Sequence, residues 1–405
     1  MTSTTFVRIA SSPRDVAANE WRDWTWQQRH AIHDVRQLVA VFPGLAKPTI
    51  DAIEANVRSV RIGLTPYALT LIERRPDGLA PLDTDPMWRQ LAPLAPVYGT
   101  GEFAYDGETD NWELPDEMVT PIAQHKYPNR VILRMANVCH SYCQFCYEAL
   151  RTLERDSTKG RFRQDHWDHT IDYVRQNAAI EEVILSGGEP LMNSDEQIDR
   201  CMSDLRRIGR HVDIRVHTRA LTFNPFRVND SLVDVFRRHR PAAVGLHVSH
   251  PNELTPAFEA AVDRLHGCVP ILFANMPLLA GVNDDAELMH RLCMRLYGLG
   301  VVPHYLYHFM PRSPAGAFLR TTVKQGVDIV RQLKRRITNL AVPEFVLPHH
   351  TGKFTMPLLG EDEAPPRRWV DQRGTPFVRF TNWTGQVVDY ADADGDDRHG
   401  LNAGD

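Results

Sequence analysis

Beyond Arg130 the chain alternates short apolar runs with longer amphipathic segments. The apolar runs predict six strands, at Val131–Met135, Glu182–Ser186, Asp213–Val216, Ala243–Val248, Pro270–Phe273 and Val302–Tyr307. Apolar positions three and four residues apart predict helices at Asp195–Ile208, Ser231–Arg238, Glu259–His266, Ala286–Tyr297 and Val323–Ile337. This alternation favours parallel βαβ units, and six of them predict an α/β fold built on a partial (β/α)6 barrel.

The segments on either side of this pattern differ from it. A helical stretch opens at residues 21–29 and runs toward Val41, and residues 51–60 predict a second helix. Residues 376–379 and 386–390 predict a terminal hairpin, after which an acidic, nearly apolar-free end predicts a disordered tail. We therefore predict four parts: a mostly helical extension (1–125), the barrel (126–340), a C-terminal cap (341–390) and the tail (391–405).

Composition and charge exclude several classes of protein. The 405 residues carry 46 Lys and Arg against 51 Asp and Glu, a net charge of −5, which provides no basic surface for nucleic acid. No apolar stretch reaches the roughly 20 residues that a bilayer-spanning helix needs. The N-terminus lacks the apolar core of a signal peptide, so we expect a cytoplasmic protein with reduced thiols and small-molecule partners.

Three of the six cysteines form a cluster directly after the first predicted strand. Cys139, Cys143 and Cys146 have Cx3Cx2C spacing, and no fourth Cys or His lies at the spacing of a structural zinc site. Thiolates at this spacing suit a soft metal centre. Three thiolates with one open position fit a 4Fe–4S cluster whose fourth iron is free for a substrate or cofactor. We expect the other three cysteines to be buried and inert.

A glycine-rich segment, Ser186-Gly187-Gly188-Glu189-Pro190, follows the second predicted strand. The two glycines let the backbone approach a ligand closely, and the Glu189 carboxylate can accept from an ammonium group. Together with the Cx3Cx2C cluster and the aromatic Phe145 before its last cysteine, this segment resembles the radical SAM superfamily. The resemblance implies that the free iron binds S-adenosylmethionine, and that Gly187, Gly188 and Glu189 form part of its site.

Longer segments resemble one branch of that superfamily. From about Trp21 to Tyr390 the chain is similar to the lysine 2,3-aminomutase family, through WRDWTWQQR (21–29), KYPNR (126–130), ILSGGEPL (184–191), HPNE (250–253) and LAGVND (279–284). The resemblance implies a pyridoxal 5′-phosphate (PLP)-dependent enzyme that moves an amino group from Cα to Cβ of an amino acid. A 5′-deoxyadenosyl radical would remove a β-hydrogen, the nitrogen would migrate, and return of the hydrogen would give the β-amino acid.

The same resemblance assigns candidate PLP residues. Lys353, in a predicted loop of residues 348–354, matches the family lysine that forms a Schiff base with PLP, and Arg130 matches the arginine that holds the phosphate. Three further candidates lie at or after strand ends, where ligands of α/β barrels bind: His217, Arg219 and His247. A fourth candidate, Asn275, matches a family position near the PLP ring. A purely structural role is an equal alternative for each of these four.

The chain departs from the family where the substrate would bind. Met310 or a neighbour, and Pro348, stand where the family has the two aspartates that pair with lysine, so a buried substrate ammonium would have no partner and lysine is disfavoured. Arginine is the first expected substrate, with Glu148 as the partner of its guanidinium and Arg151 as that of its carboxylate. A small neutral or acidic amino acid is the other expectation, with three candidate binders: His349, His350 and Arg312.

Two alternative functions remain open from the residues alone. One is a radical SAM and PLP enzyme that deaminates or epimerises its substrate, and the other is a non-catalytic iron–sulfur protein. For the enzyme we expect flavodoxin or ferredoxin as reductant and a homo-oligomeric assembly. We expect no C-terminal zinc site of the kind some family members have, because no cysteine follows Cys293.

Overall fold

The structure is a computed structural model that describes residues 16–57, 61–94, 114–146, 163–309, 316–349, 351–357, 367–372, 376–381 and 386–391. Several predicted features lie outside these residues: the tail from residue 392 onward and the candidate substrate residues Glu148, Arg151, Met310, Arg312 and His350.

The described residues of the N-terminal part contain six short helices. They are α1 Ala18–Trp21, α2 Trp24–Arg29, α3 Val35–Val41, α4 Lys47–Asn56, α5 Pro66–Thr70 and α6 Pro86–Leu91. The single helical stretch expected from Trp21 toward Val41 was wrong, because the carboxylates of Asp23 and Asp34 each accept from a main-chain N–H group and begin a new helix. The second predicted helix is α4, which begins four residues before the expected position.

Ten strands form one sheet whose spatial order follows the sequence. They are β1 Met118–Thr120, β2 Ala123–Tyr127, β3 Arg130–Arg134, β4 Glu182–Ser186, β5 Asp213–Thr218, β6 Ala243–His247, β7 Ile271–Leu278, β8 Val302–His308, β9 Glu344–His349 and β10 Gly352–Thr355. Strands β3 to β9 pair in parallel, whereas β1, β2 and β10 add antiparallel pairs at the two ends. The predicted α/β fold is confirmed: the six predicted strands are β3 to β8, and β9 adds a seventh parallel strand.

Helices connect and cover the parallel strands. They are α7 Gln164–Gln176, α8 Asp195–Arg206, α9 Ala220–Phe223, α10 Asp230–His239, α11 Pro256–His266, α12 Ala286–Gly298, α13 Gly316–Leu319 and α14 Val323–Arg336. In α8 the buried residues Ile198, Cys201, Met202 and Leu205 recur three or four positions apart and join the strand side chains in one core. Burial raises the pKa of Cys201 to about 12, as expected for an inert thiol.

The two ends of the sheet meet at the lysine segment. Lys353 lies in β10, where it pairs with Pro348 of β9, so the predicted loop is an antiparallel hairpin. The Lys353 N–H donates to the Tyr127 hydroxyl oxygen of β2 at 3.1 Å. Because β2 and β10 belong to opposite ends of the strand order, this contact shows that the sheet curves back on itself into a nearly closed barrel.

A separate three-stranded antiparallel sheet lies near the C-terminus. It contains β11 Arg367–Val370, β12 Pro376–Thr381 and β13 Val387–Ala391, and the β12–β13 pair confirms the predicted hairpin. Within the described part of the chain, no helix is both long enough and apolar enough to cross a membrane.

Candidate active site

A cavity of about 320 Å³ lies inside the curved sheet, toward the carboxyl ends of its parallel strands. Alternate residues of β7 line it, because side chains two positions apart share one face of a strand, and residues of β5 and β8 complete this part of the wall. The cavity brings together twelve candidate residues named from the sequence: Arg130, Cys139, Cys143, Cys146, Gly187, Gly188, Glu189, His217, Arg219, His247, Asn275 and Lys353. Pro348 also lines the wall, whereas the exposed His349 does not, and its Nδ1 lies 2.7 Å from the Thr351 hydroxyl.

The three clustered cysteines line one part of this cavity. The described residues hold no group of three His, Cys, Asp or Glu side chains gathered closely enough to bind one metal ion. A 4Fe–4S cluster needs a different arrangement, because each thiolate binds its own iron at a corner of the cluster. The donor set of Cys139, Cys143 and Cys146 therefore fits such a cluster better than a single ion.

The N-terminal helices hold the residues between these cysteines. The Gln28 Nε2 of α2 donates to His140 Nδ1 at 2.5 Å. The Gln144 N–H donates to the carbonyl oxygen of Gln90 at 2.8 Å, and its side-chain Nε2 donates to that of Leu91 at 3.2 Å. Burial lowers the pKa of His140 to about 3, so it accepts as a neutral ring. The cysteine loop is thus shaped by contacts from a distant part of the chain.

The glycine segment lies against the backbone that leads into the cysteine loop. The N–H groups of Gly188 and Glu189 donate to the carbonyl oxygens of Ala136 and Val138 at 2.7 and 2.8 Å. A Cβ on Gly188 would lie 2.7 Å from the Val138 oxygen, and one on Gly187, where φ is +106°, would lie 3.0 Å from the Ala136 oxygen. Only glycine fits this close approach without displacing the backbone.

Glu189 is buried, and its carboxylate joins the ends of two strands. One oxygen accepts from the Thr218 hydroxyl at 2.6 Å and from the Leu191 N–H at 3.0 Å, and the other accepts from the Arg219 N–H at 2.8 Å. Burial raises the pKa of Glu189, and these hydrogen bonds act in the opposite direction. The carboxylate therefore fixes the geometry of the β4 and β5 ends beside the cysteines.

Arg219 connects the cysteine loop to two polar groups that the sequence analysis did not single out. Its guanidinium donates to Cys143 Sγ at 2.9 Å, to Gln90 Oε1 at 2.8 Å and to the fully buried Glu253 carboxylate at 3.3 Å. Burial opposes its charge, but Cys143 and Glu253 raise the pKa of Arg219. Glu253 belongs to the HPNE segment, so its position in a family motif was the available signal.

Lys353 lies across the cavity from this network. Its Nζ is 5.0 and 5.3 Å from the ring centroids of Tyr305 and Tyr307 in β8. Although the residue keeps contact with solvent, burial lowers the pKa of its amine to about 8, and the positive charges of Arg215 and Arg130 act in the same direction. A larger fraction of this amine is neutral near pH 7 than in an ordinary lysine.

Three neutral histidines line the wall near Lys353. Burial lowers the pKa of His217 far below its usual range and those of His247 and His304 to about 4, and nearby positive charges act in the same direction. The Nε2 of His217 and the Oδ1 of Asn275 are buried and have no hydrogen-bond partner within the described chain. These atoms are polar groups of the cavity that a bound molecule could satisfy.

The sequence analysis missed several residues that surround Lys353. They are Tyr127, Arg215, His304, Tyr305 and Tyr307. Arg215 lies two positions before His217 on β5, so strand periodicity alone would have placed it on the same face. Tyr127 belongs to the KYPNR segment, which was the available signal, but its contact with Lys353 depends on the closure of the sheet and could not be read from that segment.

Comparison with known proteins places the whole chain among catalysts of one reaction type. The radical SAM superfamily profile matches residues 133–292. The L-lysine 2,3-aminomutase of Clostridium subterminale is 31% identical over 94% of this chain and 86% of its own length. The L-lysine 2,3-aminomutase of Acetoanaerobium sticklandii is 29% identical over 94% and 86% of the two chains. The glutamate 2,3-aminomutase of Clostridioides difficile is 26% identical over 92% and 83%.

Proposed function

Because the chain belongs to the lysine 2,3-aminomutase family of the radical SAM superfamily, we propose that it is a PLP-dependent 2,3-aminomutase whose PLP is carried by Lys353. Membership makes it an enzyme that isomerises amino acids with a 4Fe–4S cluster and S-adenosylmethionine. One observation carries the proposal for PLP: a lysine of lowered pKa shares a cavity with the three clustered cysteines. A neutral amine is the form of lysine that condenses with an aldehyde.

The donor groups around the cavity fit the two cofactors at separate ends. Cys139, Cys143 and Cys146 would hold the cluster, while Lys353 and Arg130 would hold PLP. When bound, the cluster with S-adenosylmethionine supplies a radical that removes a hydrogen atom, and PLP supplies a nitrogen-bound π-system that stabilises the unpaired electron.

The protein's own residues would bind and orient these groups. The Arg130 guanidinium lies 4.1 Å from the Tyr127 ring centroid, which leaves its fork of N–H donors suited to a phosphate. The rings of Tyr305 and Tyr307 lie 5.0 and 5.3 Å from the Lys353 amine, which places aromatic surface beside it. Glu189 holds Thr218 and the Arg219 backbone in place, so the wall next to the cysteines is preorganised.

The family contains enzymes for more than one amino acid, which supports a substrate other than lysine. The specific prediction of arginine depends on Glu148 and Arg151, which lie outside the described residues, and so it stays a prediction. A flavodoxin or ferredoxin as reductant and a homo-oligomeric assembly stay predictions as well.

The attachment of PLP to Lys353 has a direct chemical test. Protein purified anaerobically should contain iron, sulfide and PLP, and borohydride reduction should fix PLP on the peptide that contains Lys353. The Lys353→Ala variant should lose this adduct, whereas Lys334→Ala, a change at an exposed lysine of α14, should keep it. A reduced adduct that persists in Lys353→Ala, or that maps to another lysine, refutes the assignment.

The outcome of the reaction is tested by product analysis. The reduced protein is incubated with S-adenosylmethionine and a panel of amino acids, and α- and β-amino products are separated. A β-amino product supports the aminomutase. A keto acid or a D-amino acid instead supports the alternative of deamination or epimerisation.

A further inference from the structure

The described wall of the cavity has many cationic groups and few carboxylates. Its cationic side chains are Arg61, Arg130, Arg215, Arg219 and Lys353. Among the described residues that line the cavity, Glu189 is the only carboxylate. Five cations against one carboxylate leave a formal surplus of four positive charges, counted without the cysteines. A wall of this composition favours anionic groups and repels cationic ones.

Glu189 cannot serve as the partner of a substrate cation. Its residue is 4% exposed, and its two oxygens already accept from Thr218, Leu191 and Arg219. These three hydrogen bonds use most of the acceptor positions of the carboxylate, and the family resemblance assigns what remains to S-adenosylmethionine. A cationic side chain in this cavity would therefore lie unpaired beside other positive charges, which is costly in a partly desolvated site.

Two of the arginines are already neutralised by carboxylates behind the wall. Arg215 donates to Glu182 at 2.5 Å, and Arg219 donates to Glu253 at 3.3 Å. The cationic groups left without a carboxylate partner in these contacts are Arg61, Arg130 and Lys353. The phosphate of PLP and the α-carboxylate of any amino-acid substrate supply the negative charges that these groups require. An acidic substrate side chain would then add a further anion without a committed partner.

The rest of the wall is aromatic or neutral. Phe145, Phe273, Phe309, Pro277 and Pro348 contribute apolar surface. The nearby histidines have no charge near pH 7, because burial disfavours their protonated forms. Their rings and the Asn275 amide can hydrogen-bond to a ligand without changing the charge of the site.

Building on the proposed function, we propose that the substrate is an α-amino acid with an uncharged, largely apolar side chain. The described wall selects against lysine and arginine because it offers their charges no partner. Its cationic groups bind the α-carboxylate and the PLP phosphate, which are common to all substrates. Its apolar surface binds the side chain, which differs between substrates. The proposal therefore replaces arginine, the first substrate expected from the sequence, with amino acids whose side chains carry no charge.

Pairs of amino acids that have similar shapes but differ in charge test this proposal. Lysine is compared with norleucine, arginine with citrulline, and glutamate with glutamine, on the PLP-loaded protein under anaerobic conditions. The absorbance change of bound PLP gives a Kd for each. We expect norleucine and citrulline to bind at least about tenfold more tightly than lysine and arginine, as for an unpaired charge in a partly buried site. Glutamate should bind no more tightly than glutamine, because the phosphate and the α-carboxylate already use the available cations.

The outcomes separate this proposal from the function on which it rests. Arginine or lysine that binds as tightly as its uncharged partner, or that alone gives a β-amino product, overturns the substrate class and leaves the aminomutase intact. Protein that retains no PLP overturns the proposed function, and the substrate proposal falls with it.

A pair of variants tests whether the charge of the cavity wall determines which substrate binds. Pro348 lines the cavity and pairs with Lys353 across the β9–β10 hairpin, so an aspartate there adds a carboxylate close to the amine. Pro348→Asp should shift the Kd ratio of norleucine and lysine at least about tenfold toward lysine. Pro348→Asn, of equal size and no charge, should leave the ratio near that of the unmodified protein.

Retention of the PLP adduct on Lys353 in both variants shows that the hairpin is intact. An equal shift in the two variants, or no shift in Pro348→Asp, would mean that wall charge does not select the substrate.

Discussion

At the scale of single residues, the protonation of Lys353 controls the proposed chemistry. Burial lowers the pKa of its amine to about 8, and Arg215 and Arg130 lower it further by destabilising a second positive charge nearby. Schiff-base formation requires the neutral amine. Arg130 therefore has two functions, since it can attract an anionic group of a ligand and also helps to keep the lysine reactive, whereas Arg215, which pairs with Glu182, contributes to the second.

Replacing Arg215 with glutamine should raise the pKa of Lys353, because one charge that disfavours the protonated amine is removed. The pH midpoint for labelling of Lys353 by an amine-reactive reagent, measured by peptide mass spectrometry, should move upward by as much as about one unit. Arg215→Lys retains the charge and should leave the midpoint in place. A midpoint that stays the same or falls in Arg215→Gln would contradict this account.

At the scale of elements, the segment after β4 requires glycine for its close packing as well as for its backbone conformation. Gly187 and Gly209 both adopt a positive φ, +106° and +95°, which is unfavourable for other residues. A Cβ on Gly187 would contact the backbone at residues 134–136, whereas one on Gly209 would meet nothing within 4 Å. Comparison of the two positions therefore separates the free-energy cost of a positive φ from the cost of the steric contact.

Gly187→Ala should destabilise the fold more than Gly209→Ala does. Both changes cost about 1–2 kcal/mol for the left-handed backbone, and Gly187→Ala adds roughly 1–3 kcal/mol for overpacking against β3. Urea unfolding measures the difference, and iron per chain reports on the adjacent cysteine loop. Equal unfolding free energies and equal iron contents for the two variants would show that the contact is unimportant.

The strands illustrate why some elements are predictable. Strands β3 to β8 carry buried apolar residues that pack with the helix residues in one core, so these strands stand out from the sequence. Strands β2 and β10, with the sequences AQHKY and GKFT, carry polar side chains and lie near the ends of the sheet, where one face or edge remains accessible. Their pairing follows from the neighbouring strands, and no local pattern predicted it.

At the scale of the whole molecule, the N-terminal helices and the barrel form one site. Gln144, between the second and third cysteines, is 2% exposed and bonds through its backbone and side chain to the end of α6. The buried aromatic core of the N-terminal part also includes Phe223 of α9. The helical part therefore supports the cysteine loop from outside the barrel.

Gln144→Ala should weaken this support while leaving the fold intact. Loss of one buried hydrogen bond should cost about 1–2 kcal/mol of unfolding free energy. We expect faster loss of iron to a chelator, followed by the decay of the cluster absorbance. Gln176→Ala, at an exposed position in α7, is the matched control. Equal rates of iron loss in the two variants would exclude a positioning role for Gln144.

The sequence by itself determined the parallel strands, the cysteine spacing and the glycine segment, because each is a local pattern set by side-chain type and periodicity. The lysine was indicated by the family resemblance and by no local pattern. Only the tertiary structure decided which distant residues meet. Tyr127 and Lys353 are 226 positions apart, and their contact depends on the curvature of the whole sheet. Burial, hydrogen bonding within the fold and the surplus of positive charge around the cavity arise from packing in three dimensions. They determine why Lys353 is partly neutral, why Glu189 is committed to hydrogen bonds within the fold, and why the cavity disfavours a cationic substrate.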